Sequence, residues 1–128
     1  MPRVLIVDDE ESVRVMVAAM IKPDGYNVTE AASGAEACDA CKESPVDLII
    51  TDIVMPEKNG IDLIRYVKKE YPDIAVIAIS GGGGIEGRYD YLEIARLVGA
   101  DNILKKPFEL RELRSAVSEA MKSCATSE

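Results

Sequence analysis

The sequence predicts an α/β domain with one parallel β-sheet and helices packed on both faces of that sheet. Two observations lead to this fold class. Short apolar segments alternate with segments of helical periodicity five times along the chain, and the central apolar segments are hydrophobic throughout. Strands of that kind are buried on both faces, as in parallel sheets, and right-handed crossover connections distribute the helices over those faces.

The first helix follows a short β-branched strand at 4–7 and an acidic turn. Its apolar residues recur at helical intervals, which predicts one apolar face. These residues are Val13, Met16, Val17 and Met20. The proline and the glycine of segment 22–25 end this helix and turn the chain.

The second unit begins with a strand at 27–31, whose polar and apolar residues alternate as expected of a less buried edge strand. Ser33 is the expected N-cap of the second helix, because Glu36 three residues later completes a capping box. The residues expected on the inner face of this helix are Ala35, Cys38 and Cys41.

The central strand at 48–52 is apolar and β-branched and ends on a single carboxylate, Asp52. Pro56 then stops the regular structure, and a third helix follows. The apolar face of the third helix contains Leu63, Ile64 and Val67. The next strand, at 75–79, is apolar at every position and leads into Ser80.

The remainder of the chain contains two more helices and one strand. The glycines of segment 81–84 predict a loop, because regular structure is costly for glycine. A fourth helix ends at Gly99, and its apolar residues are Leu92, Ala95 and Val98. A short strand at 102–105 precedes a final helix at 109–122. The residues expected to be buried by the final helix are Leu110, Leu113, Val117 and Met121.

Length and composition limit the possible functions. The 128 residues suffice for one hydrophobic core, and residues 123–128 are too few for a second module, so we expect one domain over 1–128 with a short tail and no output domain. The formal net charge of -8 disfavours direct binding to nucleic acids and favours a bound cation or a basic partner surface. No apolar segment approaches the ~20 residues of a membrane helix. With three cysteines and no secretory signal, we expect reduced thiols in a cytoplasmic protein that does not insert into membranes.

Polar side chains stand at the ends of most of the predicted strands. They are Asp8, Asp9, Asp52, Ser80 and Lys106. In a parallel sheet these ends share one edge, where ligands of open α/β sheets bind. Crowded carboxylates resist ionising together, and Mg²⁺ relieves that repulsion. A hydroxyl and an ammonium group suit the oxygens of a phosphoryl group, and an aspartate can act as the nucleophile that forms an aspartyl phosphate.

Four short motifs resemble, in order and spacing, the signature of the receiver domains of two-component response regulators. The motifs are Val7-Asp8-Asp9-Glu10, Asp52-Ile53-Val54-Met55-Pro56, Ser80-Gly81 and Lys106-Pro107-Phe108. The resemblance extends from about residue 3 to residue 122. It implies a CheY-like, flavodoxin-like (βα)5 fold, doubly wound, with five parallel strands in the order 2-1-3-4-5.

The resemblance also implies a role for each site residue. Asp52 would accept a phosphoryl group from a sensor histidine kinase or a histidine phosphotransfer protein. Asp9 and Asp52 would bind Mg²⁺ directly, together with the backbone carbonyl of Val54, and Asp8 would act through water. The implied function is a phosphoacceptor switch that acts on a downstream protein not identified by the sequence.

Two further residues complete the implied site. Ser80 would hydrogen-bond the phosphoryl group and Lys106 would pair with it. Such a domain catalyses only its own phosphorylation and slow dephosphorylation. Three departures from the family pattern concern signalling: Ile103 replaces the usual switch aromatic, the loop 81–87 is longer than usual, and Lys105 replaces a small polar residue.

Alternative functions have weaker support in the sequence. A phosphatase with an aspartate nucleophile would need a second Asp two residues after Asp52, where Val54 stands. A pseudo-receiver that binds partners without phosphorylation is disfavoured by the intact acidic residues. Cys38 and Cys41 form a C-x-x-C pattern, but it lies within a helix, so we interpret it as packing. Segment 82–88 imitates a nucleotide-binding loop but lacks its lysine and hydroxyl.

Overall fold

The computed structural model describes residues 2–53, 60–80, 99–105 and 108–126. Within them, five strands form one sheet in the order β2-β1-β3-β4-β5, with every pair of neighbours parallel. The strands are β1 (Arg3–Val7), β2 (Asn27–Ala31), β3 (Leu48–Asp52), β4 (Ala75–Ser80) and β5 (Asn102–Lys105). The predicted fold class and strand order are therefore confirmed.

Four α-helices connect or follow these strands in the described part of the chain. They are α1 (Glu11–Ile21), α2 (Gly34–Glu43), α3 (Gly60–Glu70) and α4 (Leu110–Thr126), and a short 3-10 helix (Lys22–Asp24) follows α1. The last helix continues to Thr126, into the segment that the sequence predicted as a tail. The predicted helix with Leu92, Ala95 and Val98 lies outside the described residues, and so does the loop 81–87. None of the described helices combines the length and the apolar character needed to cross a lipid bilayer.

The alternation of side chains along the central strands produces two hydrophobic cores, one on each face of the sheet. Leu5 and Ile49 belong to the core beneath α2 and α3. Ile6 and Ile50, the next residues of the same strands, belong to the core beneath α1 and α4. Successive side chains of a strand point to opposite faces, so a strand that is apolar at every position supplies both cores.

The N-terminus of α2 has the predicted cap, with one difference. Ser33 Oγ accepts a hydrogen bond of 3.2 Å from the backbone N–H of Glu36. The Glu36 side chain reaches back to the N–H of Ala32, at 3.0 Å, rather than to that of Ser33 as in a standard capping box. The N–H of Glu36, in the first turn of the helix, and the N–H of Ala32, before the cap, are both satisfied by these side chains.

In three helices one residue of the predicted inner face is exposed, whereas the other predicted residues are buried or pack against the cores. In α1, Met16 is 43% exposed, and the buried residues are Val17, Ala18 and Ile21. In α2, Ala35 is exposed, and the buried residues are Gly34, Ala37 and Cys41. In α4, Leu110 is 44% exposed and Met121 is partly buried, and the buried residues are Leu113, Ala116, Val117 and Ala120. For α3 the prediction is confirmed, since Leu63, Ile64 and Val67 are all buried.

Asp101 joins α3, β4 and the start of β5. Its Oδ2 atom accepts hydrogen bonds from the Val76 backbone N–H at 2.8 Å and from Lys68 Nζ at 2.9 Å. Its own N–H donates to the Val76 carbonyl at 2.8 Å. Lys68 also donates to the Ile74 carbonyl at 2.8 Å. Gly99 allows this arrangement, because its φ is +122° and a Cβ there would lie 2.8 Å from Lys68 Cγ.

Replacing Asp101 with alanine is expected to lower the free energy of unfolding by about 1–3 kcal/mol, because the Val76 N–H would lose its partner. Asp101→Asn keeps an oxygen acceptor and removes only the charge of a partly exposed ion pair, so its loss is expected to stay below about 1 kcal/mol. Urea unfolding followed by circular dichroism measures both changes. Equal losses for the two variants would show that the ion pair with Lys68, and not the hydrogen bond to Val76, dominates.

Candidate functional site

The carboxyl edge of the sheet gathers the predicted acidic residues. Val7 of β1 pairs with Thr51 of β3, so Asp8, directly after β1, and Asp52, the last residue of β3, are neighbours at this edge. Asp52 pairs on its other side with Ile79 of β4, directly before Ser80. The parallel sheet therefore brings together residues that are far apart in the sequence.

Asp8 is buried, with 3% of its surface exposed, and both its main chain and its side chain are hydrogen-bonded. Its N–H donates to the Ala31 carbonyl at the end of β2, at 3.1 Å. Its Oδ1 atom accepts the Glu10 N–H at 2.9 Å, and its carbonyl accepts Nη1 of Arg14 at 2.7 Å. The turn from β1 into α1 is thereby fixed by groups from β2 and α1.

Three carboxylates of this turn form a compact acidic group. Asp8, Asp9 and Glu10 each offer an oxygen, and these oxygens lie within 4.8 Å of one another. Asp8 is buried and the other two are exposed, so the group faces solvent on one side. Like charges this close disfavour joint ionisation unless a cation is present, and carboxylate oxygens with open water positions suit Mg²⁺. The donor set of the turn therefore fits this ion.

Glu10 is a member of this acidic group that the sequence analysis did not assign. Among the described residues, this group consists of Asp8, Asp9 and Glu10 and does not include Asp52. Asp52 is carried by β3, the strand next to β1, and neighbouring strands in a sheet are about 4.8 Å apart.

Asp52 is carried by the most deeply buried strand. Every residue of β3 is buried, and Asp52 itself is 8% exposed. The Thr51 hydroxyl donates to the Asp52 carbonyl at 2.9 Å, and the following Ile53 N–H donates to the Ile79 carbonyl at 2.9 Å. The backbone is therefore held on both sides of Asp52, which places its carboxylate at the rim on a rigid element.

The other predicted site residues are described only in part. Ser80 is the last residue of β4, and it pairs with Lys105 at the end of β5. Lys105 is exposed, so a cationic side chain stands at this edge. The side chain of Ser80, and Val54 and Lys106 as a whole, lie outside the described residues.

Ile103, at the position of the usual switch aromatic, is partly buried. It pairs with Ala78 and packs against the core beneath α2 and α3.

Cys38 and Cys41 are free thiols on α2. Burial, and then the neighbouring Cys38, raise the pKa of the Cys41 thiol above its ordinary value. A raised pKa leaves less thiolate, the reactive form, so the pattern supports packing rather than redox chemistry.

The family follows from the comparison with known proteins. Residues 4–118 match the family model described as the response regulator receiver domain. The chain belongs to this family. Receiver domains of two-component response regulators are signalling switches and not enzymes in the usual sense, and this receiver has the acidic turn and the central aspartate at the edge of its sheet.

Individual relatives agree with this assignment. The receiver is 31% identical to the response regulator receiver protein CpdR of Brucella abortus, over 94% of this chain and 98% of that protein. It is 39% identical to the sensor kinase CckA of the same organism over 92% of this chain, but it spans only 12% of that protein's length.

A solved structure agrees with the fold. The CheY-like receiver domain protein of Methanospirillum hungatei has a TM-score of 0.90 at 24% identity, covering 100% of this chain and 99% of that chain.

Proposed function

We propose that this receiver takes a phosphoryl group from a phosphohistidine onto Asp52, with Mg²⁺ bound at the carboxyl edge of the sheet. The observation that carries this proposal is the placement of Asp52. It ends a fully buried strand and stands beside the acidic group of Asp8, Asp9 and Glu10. An aspartate held rigidly next to a cation site can act as the nucleophile towards phosphorus, because a bound cation favours the carboxylate form.

Different residues of this chain would bind Mg²⁺ and accept the phosphoryl group. Asp9, Asp52 and the carbonyl of Val54 would hold Mg²⁺, and Asp8 would act through water. The ion, when bound, neutralises charge on the phosphoryl oxygens. An oxygen of Asp52 forms the new bond to phosphorus as the bond from phosphorus to the imidazole nitrogen breaks. The bonding electron pair stays with that nitrogen.

Two further side chains would stabilise the transferred group. The Ser80 hydroxyl would donate a hydrogen bond to one phosphoryl oxygen, and the Lys106 ammonium would pair with another. Water later hydrolyses the aspartyl phosphate slowly, which returns the receiver to its resting state. The donor would be a sensor histidine kinase or a histidine phosphotransfer protein. The receiver would pass its signal to a downstream protein.

Incubation with acetyl phosphate and Mg²⁺ is expected to add one phosphoryl group to the protein, visible as a single mass increment in the intact mass spectrum. An excess of EDTA is expected to prevent the addition, because the carboxylates would repel the donor without a cation. Incubation with Mg²⁺ and no donor is the control. A full increment in EDTA, or none with Mg²⁺ and donor together, would contradict the proposed function.

A further inference from the structure

Arg14 connects the acidic turn to the neighbouring edge strand. Its Nη1 atom donates to the Asp8 carbonyl at 2.7 Å, and its Nε atom pairs with Glu30 Oε1 at 3.1 Å. The Arg14 side chain is only 14% exposed, although it comes from the helix surface of α1. One planar guanidinium thus holds the end of β1 and a side chain of β2 at the same time.

The hydrogen bond to the Asp8 carbonyl affects the orientation of the next residue, Asp9. That carbonyl and the N–H of Asp9 belong to one rigid planar peptide group. A hydrogen bond that fixes the carbonyl oxygen therefore also fixes the plane from which Asp9 continues. The direction of the Asp9 carboxylate, which lies in the acidic group, depends on that plane.

We propose that Arg14 is a positioning residue for the cation site. Held by Glu30, it orients the peptide between Asp8 and Asp9 so that the Asp9 carboxylate, which would bind the divalent ion, and the Asp8 carboxylate, which would act through water, both face the cation site. The inference rests on the proposed function, because it concerns the same metal site. It assigns to Arg14 an effect on metal affinity through geometry and not through its charge.

The direction in which the Mg²⁺ affinity changes distinguishes an effect of geometry from an effect of charge. A cationic side chain near a metal site repels the metal, so the loss of Arg14 charge alone would tighten binding. Loss of Glu30 charge alone would weaken binding. Removing both groups together leaves the net charge unchanged, and the remaining effect on affinity then comes from the lost hydrogen bonds.

The test compares two charge-neutral double variants by calorimetric titration with Mg²⁺ alone. Arg14→Met with Glu30→Gln is expected to bind Mg²⁺ about tenfold more weakly than the wild type, as is typical when a group that orients metal ligands is removed. The control is Arg114→Met with Asp24→Asn. That arginine, in α4, bonds the Asp24 carboxylate through two nitrogens, at 2.9 and 2.6 Å, but Asp24 lies in the turn before β2 and not at the carboxyl end of that strand. The control is expected to bind as the wild type does.

A second readout follows the turn itself. The Glu10 N–H donates to Asp8 Oδ1 at 2.9 Å. Without metal, hydrogen exchange at this amide is expected to speed up in the Arg14/Glu30 variant and to stay unchanged in the control. Should the double variant fail to fold, Arg14→Lys replaces it. Lysine keeps the charge but cannot hold both partners with one planar group, so weaker Mg²⁺ binding is expected again.

The outcomes separate the two proposals. If the wild type itself binds no Mg²⁺, the proposed function fails at its metal site. If the wild type binds Mg²⁺ and the Arg14/Glu30 variant, or Arg14→Lys in its place, binds it equally well or more tightly, the positioning role of Arg14 is overturned and the proposed function stands. Weaker binding in both double variants also overturns it, because the effect would then come from a general loss of stability.

Discussion

Replacement of Asp52 with asparagine is expected to abolish Mg²⁺-dependent phosphorylation of this receiver completely. The amide lacks the ionised oxygen that would form the bond to phosphorus. The substitution keeps the size of the side chain, and the bonds that hold the backbone here come from the Thr51 hydroxyl and the Ile53 N–H, neither of which needs the carboxylate. The fold is therefore expected to persist while the chemistry is lost.

The measurement is the intact mass after incubation with acetyl phosphate and Mg²⁺. Asp39→Asn is a matched control, because it makes the same chemical change at an exposed position of α2. It is expected to be phosphorylated as the wild type is. A mass increment that survives in the Asp52→Asn variant would place the phosphoryl acceptor at another residue.

The largest effect on stability is expected from Leu113→Ala. Leu113 is fully buried in the core beneath α1 and α4, so its truncation leaves a cavity and is expected to lower the free energy of unfolding by about 2–5 kcal/mol. Leu110→Ala makes the identical change one turn earlier in α4, where the side chain is 44% exposed. Its cost is expected to stay within about 0.5 kcal/mol.

Urea unfolding followed by circular dichroism compares the two leucine variants directly. The chain has no tryptophan, so far-ultraviolet dichroism is the appropriate signal. Similar losses for both substitutions would mean that Leu110 is covered in solution. The pair also tests the revised inner face of α4, since the sequence alone predicted that both leucines are buried.

The errors in the predicted faces of α1 and α4 have a common physical cause. Hydrophobic periodicity gives most weight to large side chains, whereas the residues nearest the sheet include alanines. Ala18 in α1 and Ala116 in α4 are buried, whereas Met16 and Leu110 are exposed. A small side chain lets the helix approach the sheet, and the pattern of large residues does not show where that approach occurs.

The strands were more predictable than the helices. A strand that is apolar at every position has two buried faces, so the prediction does not have to decide which of its side chains are buried. The sequence therefore predicted β1, β3 and β4 closely, and the acidic residues that follow β1 and end β3. The register that makes Asp8 and Asp52 neighbours depends on the strand order, which came from the family resemblance and is confirmed by the sheet.

The contact of Arg14 could not be predicted from the sequence. Its partner at the site is the backbone carbonyl of Asp8, and every residue has such a carbonyl. The Asp8 carbonyl oxygen comes within reach of the Arg14 side chain only through the conformation of the turn between β1 and α1. Glu10 was missed for a related reason, since its position in the acidic group results from the turn and not from a strand end.

The two outermost strands affect the behaviour of the protein at high concentration. β2 carries exposed Asn27 and Glu30, and β5 has only four residues and ends on exposed Lys105. Short edge strands with charged side chains are poor templates for pairing with another chain. The net charge of -8 adds repulsion between molecules. Concentrated solutions of the folded protein should therefore resist aggregation through sheet edges, which favours long calorimetric and spectroscopic measurements.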